Sequence, residues 1–344
     1  LLLCADKMIT EGQIDSARAI YTRMTDKQYP SMTRLAAYRG LIALDAENAV
    51  SLMVSLLRDE DIQLRQAATG SFLRMIPGSK VLQSLMDEFS GLDPETQSAI
   101  LIAFAARKDK SVVPAVVKAA SSENENVKIA AIEALGILGD STCVAFLAET
   151  ALQGGKIGDA SENSLHQMQN IDMALQRLLK SGEVKLQPVL LRSLITRRAE
   201  NALPLLLEFA LNAEAGVRQV AINGLTQISK IEDVPSILKL INSLNNQDDI
   251  QAVEEAVSTV AKEMADANLR TEYFLSSLQG ASTSLRVSIL RLLTRFGGEK
   301  ACGAIEFALS DSNQDVQVTA FHSLVNWPDA SPIDLLMFTA KDPS

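Results

Sequence analysis

"NVKIAAIEALGILGD", residues 126–140, places Val127, Ala130, Ala131, Ala134, Leu135 and Leu138 at steps of 0, 3, 4, 7, 8 and 11. Those steps follow one face of a helix. Small side chains occupy the middle of the face, and Gly139-Asp140 closes it. A face narrowed by alanine suits a close helical neighbour. The question it raises is whether the chain builds such a face once or many times.

It builds it many times. Leu64, Ala67, Ala68, Ser71, Phe72 and Met75 repeat the steps, as do Val217, Val220, Ala221, Gly224, Leu225 and Ile228. Further copies run from Leu285 to Phe296 and from Val316 to Trp327, and another begins at Thr33. With the residue after the first step as a marker, clear copies fall at Arg34, Arg65, Gln97, Lys128, Gln187, Arg218, Arg286 and Gln317. Weaker ones fit at Gly158 and Glu254. The gaps are then 31, 32, 31, 30, 29, 31, 36, 32 and 31 residues, the longest expected to reflect a longer turn around "NNQDDI". A period of this length is the signature of a repeat array.

Two further features keep the same beat. Pro114, Pro204 and Pro235 each lie 17 residues after a marker. Proline is tolerated in the first turn of a helix, where its missing N–H has no partner to lose, so each predicts the start of a second helix. Four residues before the markers stand Asp61, Asp93, Asn124, Glu183, Glu214 and Asn313, polar side chains expected to accept hydrogen bonds from free N–H groups at a helix start. The unit is a helical hairpin, and a hairpin buries its apolar stripe only against its neighbours.

Composition agrees. Apolar residues make up 47% of the 344 but aromatics only 4%, so the core is built from Ala, Leu, Ile and Val, a palette for close helix packing. Lys+Arg 32 against Asp+Glu 42 gives net −10, which argues against nucleic acid as a partner, because binding phosphates requires cations. Cys4, Cys143 and Cys302 are far apart and form no Cys-x-x-Cys, which excludes a zinc knuckle and a disulfide scaffold. Cys143 and Cys302 are read as buried filler. The longest apolar run, "AILIAFAA", stops at Arg107, well short of the ~20 residues that span a bilayer. The chain opens on Leu1 rather than Met, so a preceding segment is expected. "LLLC" has the look of a lipoprotein cleavage site, but Leu3 is too large for the position before the cysteine, and the leucines are read as starting the first helix.

At these residues the chain resembles the HEAT repeats, whose pattern is a first helix with Pro and Leu, an acidic turn, then V-R-x-x-A-x-x-A-L-G. "ENVKIAAIEALGILGD", "AGVRQVAINGLTQI" and "DEDIQLRQAATGSF" carry the likeness. The resemblance implies an all-α, right-handed α-α superhelix, an armadillo-like solenoid of about ten helical hairpins over residues 31–344. Residues 1–30 are then N-terminal capping helices, weakly similar to half a tetratricopeptide repeat through Gly12, Ala17 and Tyr21. The ending from "LLTRFGGEK" onward is similar to the last repeats of a group of bacterial exported HEAT proteins. That likeness implies an exported, periplasmic location, with the cytoplasm as the alternative, and additional domains on the full-length chain. A sugar-active β-sandwich or a cytochrome module occurs in that group, and neither is visible here.

Catalytic constellations are missing from the sequence. His166 and His322 are the only histidines and have no carboxylates at ligand spacing. "GGKIG", 154–158, lacks the flanking strands of a phosphate loop and reads as a turn. No catalytic residue, metal or cofactor is expected. Trp327 is expected to seal the end of the array rather than anchor a ligand. Arg107 and Arg197, at the eleventh step of their repeats, are expected to reach out to solvent at helix ends.

The surface expected to bind is the concave one, where the stacked second helices of such a solenoid form a groove. One flank of it is the column six residues after each first apolar step, which includes Arg39, Arg192, Arg291 and His322. Basic clusters arise from Lys185, Arg192, Arg197 and Arg198 and from Arg286, Arg291 and Arg295, either suited to an acidic peptide or glycan. Arg39, Arg192, Arg197, Arg198, Arg291 and His322 are therefore the candidate binding residues. The leading expectation is a non-catalytic scaffold for a protein or peptide partner, not an enzyme. The alternative is the helical accessory region of a larger exported bacterial glycan-processing protein. A third class, an enzyme built on the solenoid that excises damaged bases or attaches tetrapyrroles, has the acidic balance against its DNA form and no residue nominated for the other.

Overall fold

The computed structural model describes residues 1–44, 48–73, 79–264, 266–328, 332, 333 and 337. Every regular element among them is helical, as the sequence requires. The chain forms two compact units, Leu1–Gly182 and Glu183–Ser344.

The first unit runs α1 (Leu2–Thr10), α2 (Ile14–Met24), α3 (Ser31–Leu44), α4 (Ala49–Leu57), α5 (Ile62–Ala67, continued by a π turn over Ala68–Phe72), α6 (Ser79–Glu88) and α7 (Pro94–Arg107). It continues with α8 (Val113–Ala119), α9 (Glu125–Leu138), α10 (Val144–Ala151), α11 (Gly155–Gln167) and α12 (Asp172–Ser181). The second unit contains α13 (Gln187–Thr196), α14 (Ala202–Phe209), α15 (Ala215–Ile228), α16 (Val234–Leu240), α17 (Gln247–Ala261), α18 (Ala267–Leu278), α19 (Thr283–Phe296), α20 (Glu299–Ala308) and α21 (Gln314–Val325). From α3 onward the odd-numbered helices carry the markers, and the even-numbered ones are their hairpin partners. Pro114 and Pro235 stand in the first turns of α8 and α16.

The opening stretch is α9. It packs against α7, α8 and α11, and its six face residues are all buried. The narrow face does what its composition implies. Ser164 of α11 reaches the backbone of α9 and donates to the Ile132 carbonyl at 2.9 Å. A Cβ on Gly136 would lie 3.0 Å from the Ser164 backbone. In the second unit a Cβ on Gly224 would strike Ile195. At the start of the chain, Tyr21 lies across Gly40 and is buried with Ala5, Ala17, Met24 and Ala37, which fastens α1 and α2 to α3.

Five of the ten markers turn out to be staples. Arg34, Arg65, Gln97, Arg218 and Gln317 each donate to a main-chain carbonyl of the turn before their own helix. Each bond ties the helix to a turn carbonyl that lies outside the helix's own hydrogen-bond ladder. Arg34 also pairs with Asp59, Arg218 with Asp249 at 2.8 Å, and Arg286 with Asp311.

Four expectations need correction or limit. Asp61, Asp93, Asn124 and Asn313 cap their helices through side-chain oxygens, but Glu183 and Glu214 make no side-chain cap bond. The extra methylene of glutamate sets its carboxylate beyond the first N–H groups, and Glu183 pairs with Lys185 instead. Arg107 does not turn to solvent; it donates to the Leu73 carbonyl at 2.8 Å. The register at Glu254 slips by one helical turn. In α9, α15, α19 and α21 the marker is the fourth residue, and in α17 that residue is Ile250. The extra residues of the long gap therefore follow α17, where α18 extends to 12 residues. Met75, expected at a core step, lies outside the described residues.

Candidate functional site

The one-turn correction gives Glu254 a meaning. It now sits five residues after the first step, a column filled by Leu191, Ile222 and Leu290 in the other internal repeats of the second unit, all buried. Glu254 is buried there too, at 2% exposure. A carboxylate removed from water demands a partner, and Arg291 of α19 supplies one, with Nη1 donating to Oε1 at 3.3 Å. Next to it, Arg295 binds Glu255 at 2.5 Å.

These residues belong to a polar groove over α17, α19 and α21. One hollow of about 430 Å³ is lined by Gln251, Glu254, Arg291, Arg295, His322 and Asn326, among others. An adjoining hollow of about 560 Å³ shares Gln247, Arg291 and Thr319 with it and adds Ile250, Val287 and Val318. Amides, hydroxyls and guanidinium groups thus stand along an open trough with a few apolar contacts beside them. Such a lining offers hydrogen bonds at many points along its length.

Of the sequence-nominated residues, the structure brings Arg291 and His322 together in this groove. Arg192, in the middle of α13, and Arg197, just past its end, are half-buried, and Arg198 is exposed in a left-handed turn; none of the three lines it. Arg39 is exposed in the first unit beside a hollow of about 710 Å³ lined by Asp6, Tyr21, Leu35 and Phe72. Burial, reinforced by the hydrogen bond to Asp6 and its charge, pushes the Tyr21 phenol up to about 12. The expected basic cluster of Arg286, Arg291 and Arg295 is corrected: each carries an acidic partner from a neighbouring repeat. His166 is half-buried on α11, in the other unit from His322. Trp327 is buried, a core side chain rather than an exposed anchor. Cys143 is buried as expected, whereas Cys302 is only half-buried and Cys4 is exposed. Among the described residues no helix is long and apolar enough to cross a membrane.

Sequence reading missed Glu254, Gln247, Gln251 and Asn326. The available signal was an acidic residue in a column of Ile and Leu, visible only once the register was set by the Asn246 cap, which accepts from the N–H groups of Asp248 and Asp249.

Stacked helical hairpins held by marker staples define an α-solenoid class. Residues 82–156 match the HEAT repeats family, and the hairpins outside that span repeat the same helix starts and buried steps. Over residues 82–156 the chain carries HEAT repeats. No curated protein matches it in sequence. Among solved structures it is similar to human deoxyhypusine hydroxylase in complex with glycerol, at 15% identity over 83% of this chain and 98% of that one, TM-score 0.32. It is also similar to the complex of CpcE and CpcF of phycocyanin lyase from Nostoc, at 15% identity over 72% and 94%, TM-score 0.31. Yeast importin-beta aligns at 11% identity over 94% of this chain and 53% of its own, TM-score 0.35. At these scores no likeness carries an argument about what this chain does. The expectation that the chain is not an enzyme is nonetheless corrected. Two of these helical neighbours are named for an activity, a hydroxylase and a lyase, so absence of a familiar catalytic motif from such a chain does not exclude catalysis.

Proposed function

We propose that the chain is a helical-repeat scaffold for protein–protein interaction, and that the groove over α17, α19 and α21 receives an extended segment of its partner. The observation that carries this reading is the line of Gln247, Gln251, Thr294, Thr319 and Asn326 along three successive marker helices. An extended peptide presents main-chain donors and acceptors all along its length. Side-chain amides can meet both kinds, and the adjoining Ile250, Val287 and Val318 supply apolar contacts for its side chains.

The test is site-specific photocrosslinking. A benzophenone amino acid at Thr294 is expected to capture a polypeptide of defined sequence in the native cell extract. The same probe at exposed Phe307 on α20 is not. Equal capture at both positions, or none at Thr294 under saturating partner, overturns the reading.

A further inference from the structure

We infer that the Arg291 end of this groove is a recognition point for an acidic side chain, Asp or Glu, of the bound peptide; the inference rests on the peptide-binding reading above. It begins with an anomaly. Replacing a buried ion pair by packed apolar side chains is often neutral or stabilising, so a glutamate in a column of Leu and Ile is not explained by stability. Repeats depart from their own pattern mainly where function requires it.

The second observation is an asymmetry of exposure. The Glu254 side chain is 2% exposed, and that of its partner Arg291 is 40% exposed. Both residues line the hollow, but a ligand entering the groove meets far more of the guanidinium than of the carboxylate beneath it. A guanidinium has five N–H donors in a rigid fork, and one of them, on Nη1, goes to Glu254. The remaining donors are available to a ligand carboxylate, with Arg295, His322 and Gln251 around the same hollow. Glu254 acts through Arg291: it is a positioning residue that holds the fork in place before the ligand arrives, which lowers the ordering cost of binding.

The experiment measures fluorescence anisotropy of the labelled peptide Gly-Ser-Glu-Asp-Glu-Ser-Gly and its Gln-Asn-Gln counterpart with the whole chain. The acidic peptide is expected to bind about tenfold more tightly than the amide one. R291Q abolishes that preference. Because R291Q leaves Glu254 buried without a counter-charge, E254Q/R291Q provides a second variant with neither charge, and it loses the preference too. E254Q keeps an acceptor for Arg291 but removes the opposing charge, and it tightens the acidic peptide about threefold. K262Q, the same charge change at the end of α17, leaves the preference intact. Equal binding of the two peptides, with the amide form still bound, overturns the inference and leaves the groove reading standing. Binding of neither peptide, or equal losses in R291Q and K262Q, also overturns it. Displacement of the acidic peptide by heparin with tighter, Arg291-dependent binding overturns it in favour of a glycan polyanion.

Discussion

Ser164 donates its hydroxyl to the Ile132 carbonyl at 2.9 Å, across a gap between α9 and α11 that closes where Gly136 has no side chain. The bond reaches a carbonyl already used within its own helix, so it forms only if the backbones approach closely. Gly136→Val sets branched carbons against the Ser164 backbone and is expected to cost about 1–3 kcal/mol, read as a lower urea midpoint. An unchanged midpoint would mean the two helices can separate at no cost.

Ala131 is fully buried in the same interface. Ala131→Asp brings in a carboxylate with no cation beside it and is expected to lose about 3 kcal/mol or more. Thermal melting that matches wild type would show that the face is not packed as described.

Arg218 joins three things: it donates to the Asn212 and Ala213 carbonyls at 2.9 and 2.8 Å and pairs with buried Asp249. Arg218→Met is expected to destabilise by about 3–5 kcal/mol, because it strands Asp249 as well as the turn. With Asp249→Asn already present, the same change should cost less. Simple additivity in that double-mutant cycle would contradict the coupling.

At the groove, E254L/R291L restores the apolar character of the column. It is expected to be at least as stable as wild type in urea, since burying the pair carries a desolvation penalty that leucines avoid. A clear loss of stability would give the pair a structural role.

Hydrogen bonds from the Thr142 hydroxyl and N–H hold the Asp140 carboxyl below its usual 3.8, and the Ser31 hydroxyl and the Gln63 N–H do the same for Asp61. A depressed folded-state pKa adds stability that is complete above the unfolded value and is lost as pH falls through the folded one. Acid titration is therefore expected to weaken the fold below pH 3.8, and Thr142→Val to move the Asp140 carboxyl resonance midpoint upward. Tyr21 has the opposite sign. Its raised value favours the fold up to pH 10 and the benefit disappears through about 12, so the 295 nm difference between wild type and Tyr21→Phe should titrate near 12.

The sequence by itself determined the hairpins. Each buried face is set by steps of three and four residues within one helix, and several marker-helix starts by a cap beside their first N–H groups, so Val127, Ala131 and Leu135, or Asn124 and Asn313, announce their roles locally. Tertiary structure alone decided the charges. Arg291 and Glu254 are 37 residues apart and Arg295 and Glu255 40, so what reads along the chain as a row of cations is a set of pairs across neighbouring helices. Burial follows from local periodicity, but a Coulomb partner depends on which helix lies alongside. The groove exists only where α17, α19 and α21 bring those partners together.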